Sequence, residues 1–114
     1  VNHLWKLAFE VEMARAELAY AHGEFDACFK TLERAHILGQ RSTRRHVRVH
    51  VWMLKVGRRR GDRREIVGQV KRIAAAALFS RIWVPAGNTG GANVPATKPM
   101  PIPEDLRRVL EHRR

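Results

Sequence analysis

Glycines at positions 23, 39 and 61 divide the first 79 residues into four stretches, and in each the apolar residues recur at three- and four-residue intervals. That period matches an α-helix and excludes a half-buried strand over most of this length. In the first stretch, about residues 3–21, Leu4, Leu7, Ala8, Val11, Ala14 and Leu18 form one stripe. Trp5, Phe9, Met13, Ala16 and Tyr20 form a second on the opposite side. A helix with two apolar faces is expected to be sandwiched between other elements. His3, Glu10 and Glu17, seven residues apart, make a polar line between the stripes.

The second helix, about 25–38, carries Phe25, Cys28, Phe29, Leu32, Ala35 and His36 on one face, with Gly39 as its stop. So short a connection predicts an antiparallel hairpin. Its small and aromatic positions are spaced like those of a tetratricopeptide-type helix. The third stretch shows both helical spacing (Val47, His50, Val51, Leu54) and strand-like alternation (Val47, Val49, Val51). Helix is the reading adopted, because no partner strand is visible; Ser42 or Thr43 caps it. The fourth helix starts at Asp62 with Glu65 three residues on, an acid-capped relative of the capping box. Its expected apolar face is Ile66, Val67, Val70, Ile73, Ala74, Ala77 and Leu78. Between Val84 and Pro103 there are five prolines and three glycines, predicting an extended tail. Ile82, Trp83, Val84, Val94, Met100 and Ile102 should pack it on the helices, and a short final helix follows. The expectation is an all-α fold with a helical bundle over 1–83, a packed tail over 84–103 and a C-terminal helix over 104–114, forming one domain.

The chain has 114 residues, 45% hydrophobic and 29% charged, ordinary values for a globular protein. One cysteine, Cys28, excludes an intramolecular disulfide. The longest apolar run, Ile73 to Phe79, is far short of the roughly 20 residues of a membrane span, and no signal peptide is evident, so a cytoplasmic setting is expected. The net charge of +11 is uneven: residues 1–40 carry −2, residues 41–81 carry +11 and residues 82–114 carry +2.

Chemistry is suggested first by His46 and His50. At i, i+4 on a helix they share one face and can share a cation. Glu33 and His36 form an E-x-x-H pair on the second helix, an element that recurs in carboxylate-bridged metal bundles. Glu17 offers a further carboxylate. Glu17, Glu33, His36, His46 and His50 are therefore the candidate ligands, for zinc, iron or manganese, in metal handling or metal-dependent catalysis. Against this, a full di-metal bundle has two E-x-x-H motifs, and here there is one. The alternative is an interaction module in which the basic segment 41–72 (Arg44, Arg45, Arg48, Arg58, Arg59, Arg60, Arg63 and Arg64) binds an acidic protein or nucleic acid. A small dimerising helical protein is a third reading. The GNTGG run at 87–91 reads as a turn within the tail, since no strand–helix junction surrounds it.

The segments LERAHILGQ (32–40), TRRHVRVHVWML (43–54), GNTGGANV (87–94) and KPMPIP (98–103) resemble a family of short bacterial proteins catalogued as a domain of unknown function. The resemblance implies an association with heavy-metal resistance genes and so a metal-related role. It supplies no site residues.

Overall fold

The computed structural model describes residues 3–79, 86–95 and 98–111. Those residues hold five helices and no strand: α1 (Leu4–Ala21), α2 (Phe25–Gly39), α3 (Thr43–Arg60), α4 (Arg63–Phe79) and α5 (Glu104–Glu111). The third stretch is a helix throughout. Its start is fixed by Ser42, whose side chain accepts from Arg45 N–H, and its end by Gly61 in the left-handed conformation, φ 68°. Asp62 caps α4 by accepting from Glu65 N–H at 3.0 Å. The reciprocal half of a capping box is not made, because the Glu65 carboxylate is turned inward.

α1 lies along α2, with Tyr20 against Phe25, Glu12 bonded to Arg34, and Phe9 over Gly39. Gly39 is the last residue of α2, and it also admits a neighbour. A Cβ there would stand 2.6 Å from the Phe9 ring. α3 packs on α2 and α4 on α3, while α5 touches α1 and α2. The core is Phe9, Met13 and Ala16 of α1, Cys28, Phe29, Leu32, Ala35, Ile37 and Leu38 of α2, Val49, Met53 and Val56 of α3, and Leu106 of α5.

Three helices present different faces from those their apolar spacing suggests. α1 buries only its Phe9–Met13–Ala16 side; Leu7 is 63% exposed, Val11 50% and Leu18 61%. The expected sandwich is not formed among the described residues. α3 buries His46, Val49, His50, Met53 and Val56, so its inner face is turned by about one position from the Val47–Val51–Leu54 stripe. On α4 the expected face is turned further, although Ile66 and Ile73 stay half-buried. Glu65 and Gln69 are buried, while Val67, Val70 and Leu78 are exposed. An amphipathic helix normally does the reverse, so something polar inside the molecule holds α4 this way round.

The chain between α4 and α5 is seen at 86–95 and 98–103. Met100 N–H donates to Ala86 O, and Asn88 Nδ2 donates to the carbonyls of Pro95 and Lys98. Ile102 packs against the core. Ile82, Trp83 and Val84, and the expected boundary at 83/84, lie outside the described residues.

Candidate metal centre

The polar interior begins with three histidines. His36 comes from the last turn of α2, one turn after Glu33. His46 and His50 come from successive turns of α3, as their spacing requires. All three are buried, at 3%, 8% and 2% exposure. Their imidazoles meet at one point, with His36 Nε2 2.9 Å from His46 Nε2 and 3.2 Å from His50 Nε2.

The outer nitrogens decide what those contacts are. His36 Nδ1 lies 2.6 Å from the backbone oxygen of Asn88. A carbonyl only accepts, so His36 carries its proton on Nδ1. His50 Nδ1 lies 2.6 Å from Gln69 Oε1. The orientation of that amide follows from its other end, where Nε2 donates to Glu65 Oε2 at 2.6 Å and to Gly90 O at 3.0 Å. Both are acceptors, so Oε1 faces the histidine and His50 also holds its proton on Nδ1. The Nε2 atoms of His36 and His50 therefore turn lone pairs toward each other.

Protonating a ring would relieve this, but the surroundings oppose a cation. Burial, then the neighbouring His50 and His46, hold His36 well below the usual histidine range. Burial takes His46 to about 4, and burial with the charges of His46 and Arg72 takes His50 to about 3, against the bond from Gln69. At neutral pH the cluster is three uncharged imidazoles. His46 is the one with freedom of tautomer: its Nδ1 is buried with no hydrogen-bond partner among the described residues. Its Nε2–H can donate to His36, which leaves the His50 lone pair without a donor.

The support continues outward. Glu65 Oε2 also accepts from Ala92 N–H at 3.0 Å. Arg72 donates to the backbone oxygens of Gly90, Gly91 and Val94, and Asn88 Oδ1 accepts from Gly90 N–H. The GNTGG run thus closes over the histidines. Gly90, at φ 84°, lies so near that a Cβ would be 2.5 Å from His36 Cδ2. This also explains the orientation of α4: Glu65, Gln69 and Arg72 share its inner face and hold both the histidines and the loop.

Of the five candidate ligands, the structure brings together His36, His46 and His50, whose ligand atoms lie within 4.8 Å of one another. Glu33 is half-buried outside this group, and its carboxyl is raised by burial and by Glu65, against Lys30. Glu17 lies 3.5 Å from Arg48, on the far face of α3. Gln69, Glu65 and Asn88 were not anticipated from sequence. Their only signal was that Glu65 and Gln69, four apart, share a line on α4 with Arg72.

The basic residues are divided. Arg48 bonds Glu10, Arg60 pairs with Asp26, Arg45 lies over Trp5 and Arg59 over Phe25. Arg44 and Arg58 are exposed. Arg63 and Arg64, with Lys71 and Arg72, line an open groove of about 460 Å³ floored by Gly68 and Ala92. No helix among the described residues is long and apolar enough to cross a membrane.

Fold and site together define a small all-helical protein built around a buried three-histidine cluster. The chain belongs to the family described as Protein of unknown function (DUF3703), whose model matches residues 3–110. No curated protein and no solved structure shows significant similarity to it.

Proposed function

We propose that this protein binds a divalent transition metal through His36, His46 and His50, and that its role is metal handling. The observation that carries this reading is the meeting of three Nε2 atoms while the protons of two rings are held on the opposite nitrogen. Buried polar atoms without partners are costly, and a cation satisfies all three lone pairs at once. Ligand bonds of 2.0–2.1 Å in a tetrahedral site place nitrogens about 3.3 Å apart. The observed 2.9 and 3.2 Å from His36 to the other two rings are close to that spacing. On binding, His46 would carry its proton on Nδ1, like its two neighbours.

An all-imidazole set favours zinc or iron over manganese, which prefers oxygen ligands. Zinc is the first choice. Three ligands leave a fourth position, which a water, a carboxylate or the metal's next carrier can take. Gln69 and the Asn88 carbonyl act as orienting partners, as outer hydrogen bonds to metal-bound histidines do. Association with heavy-metal resistance, implied by the family resemblance, accords with this role.

The test is reconstitution of protein purified without a metal-chelating column. Native protein should take up one equivalent of zinc. With the metal at 100 times its Kd, stabilisation by about 2.7 kcal/mol should raise Tm on the order of 10 °C. The His36→Ala and His50→Ala variants should lose both effects. Native protein that binds no zinc, iron or manganese would end the proposal.

A second reading has a specific observation behind it. Arg63, Arg64 and Lys71 make no ion pair among the described residues and surround the groove on α4. That suits an acidic protein or nucleic acid. Binding there should weaken with salt, with a log–log slope of roughly −0.7 to −0.9 per phosphate contact, and should be lost in a Arg63→Ala, Arg64→Ala, Lys71→Ala variant.

A further inference from the structure

The outer face of α1 is the largest feature that the metal centre leaves unexplained. Leu7, Val11 and Leu18 are 63%, 50% and 61% exposed, with Leu4 at 46% in the same line. Exposing several large aliphatic side chains in one row marks an interaction surface more often than chance. Their order is more informative than their number. Positions 4, 7, 11, 14, 18 and 21 are Leu, Leu, Val, Ala, Leu and Ala. Alternating steps of three and four make the a and d positions of a heptad repeat, the seam of a two-stranded coiled coil.

The flanking positions identify the partner. With a at 4, 11 and 18, the g positions within α1, 10 and 17, are both glutamate, and its e positions 8 and 15 are alanine and arginine. In a parallel pair, each g residue faces the e residue five positions on in the other helix. A second copy of α1 therefore sets Glu10 opposite Arg15 on both sides of the seam. In an antiparallel pair, g faces g, and the glutamates would stand against one another.

We propose that two copies of this chain associate through α1, parallel and in register, along the Leu7–Val11–Ala14–Leu18 seam. The arrangement is isologous and so closes as a dimer. The groups it needs are available. Arg15 has only a 3.7 Å approach to Glu12 and a side chain 68% exposed. Glu10 accepts from Arg48, and a carboxylate can accept from a second arginine as well. A seam of about two and a half heptads is short for a free peptide. Here α1 is already held helical by its inner face on α2, so association does not have to order it. The metal centre lies on the other side of α2 and α3, and the dimer does not depend on it.

Sedimentation equilibrium of the full chain, from about 1 to 200 µM, tests this. The expected result is a concentration-dependent rise from 13.1 kDa to twice that mass. Leu7→Glu with Leu18→Glu should hold the monomer mass throughout with unchanged helical circular dichroism, since both side chains are exposed. Arg15→Glu should weaken the dimer at least tenfold at low salt in the parallel arrangement. In the antiparallel one it would not, because Arg15 would no longer face glutamate. A monomer at every concentration would overturn the proposal. So would a dimer that persists in the double variant and is lost in Val70→Glu, which would place the contact on α4, or strengthening by Arg15→Glu.

Discussion

A glutamine fixes the proton of one histidine in the cluster. Gln69, fully buried, connects His50 to Glu65 and to the loop carbonyl of Gly90. Gln69→Leu keeps the volume but leaves a histidine N–H without its partner and takes one of two donors from the Glu65 carboxylate. Each such loss costs about 1–3 kcal/mol, so the variant should be less stable by roughly 2–4 kcal/mol in urea unfolding. Its zinc affinity should also fall about 10- to 100-fold; unchanged affinity would mean that Gln69 does not orient His50. Cys28 is a contrasting buried group. Burial raises its thiol to about 11, against a bond from the Tyr20 backbone that lowers it, so at pH 8 it stays protonated and inert. Its labelling by a disulfide reagent should proceed only at the rate of unfolding, and rapid labelling of native protein would show that α1 and α2 open locally. The histidines were legible in sequence because i, i+4 on one helix and E-x-x-H on another are spacing rules. Gln69 and Asn88 were not, since uncharged amides in a polar line look the same whether they face solvent or a buried imidazole. Glu17 matched the geometry of its own helix, yet its carboxylate lies beside Arg48, a pairing that no local pattern encodes.

At the level of elements, the starts of α3 and α4 follow from Ser42 and Asp62, which make the expected bonds to the first-turn N–H groups. The rotation of the helices does not follow from apolar spacing. α4 carries Val67, Val70 and Leu78 outward because Glu65, Gln69 and Arg72 are tied to α3 and to the 87–94 loop. That loop resembles a turn in sequence, and its glycines are explained only by what they approach. Gly90→Ala tests this. The substitution combines an unfavourable φ of 84° with a methyl 2.5 Å from His36, so the loop must withdraw and take the Asn88 carbonyl from His36. Zinc affinity should fall at least about tenfold, while the helical circular dichroism stays unchanged. An Ala variant with native affinity would make the loop a bystander.

Across the whole molecule, residues far apart in sequence complete one centre: α2 and α3 supply the imidazoles, α4 the glutamine, and the segment after it the carbonyl that fixes His36. Truncation after Phe79 removes that carbonyl together with Leu106, which is 3% exposed, and the half-buried Ile102, Val109 and Leu110. A fully buried leucine alone contributes about 1.5–3 kcal/mol. Each kcal/mol is roughly 4–8 °C in a domain of about this size. The truncated protein should melt more than about 10 °C lower and bind zinc weakly, and an unchanged melting curve would show that the C-terminal third contributes nothing to the fold. The segregation of charge was also readable from sequence, but its use was not: Arg48 and Arg60 are drawn onto acidic groups of α1 and α2, while Arg63, Arg64 and Lys71 of α4 line a groove. If three neutral imidazoles bind one metal ion through Nε2, X-ray absorption at the zinc edge of the reconstituted protein will show them. The expected spectrum has one zinc with nitrogen or oxygen neighbours near 2.0–2.1 Å and outer scattering from three imidazoles, reduced to two in His46→Ala. A shell of oxygen without imidazole scattering, or a spectrum that His46→Ala leaves unchanged, would contradict it.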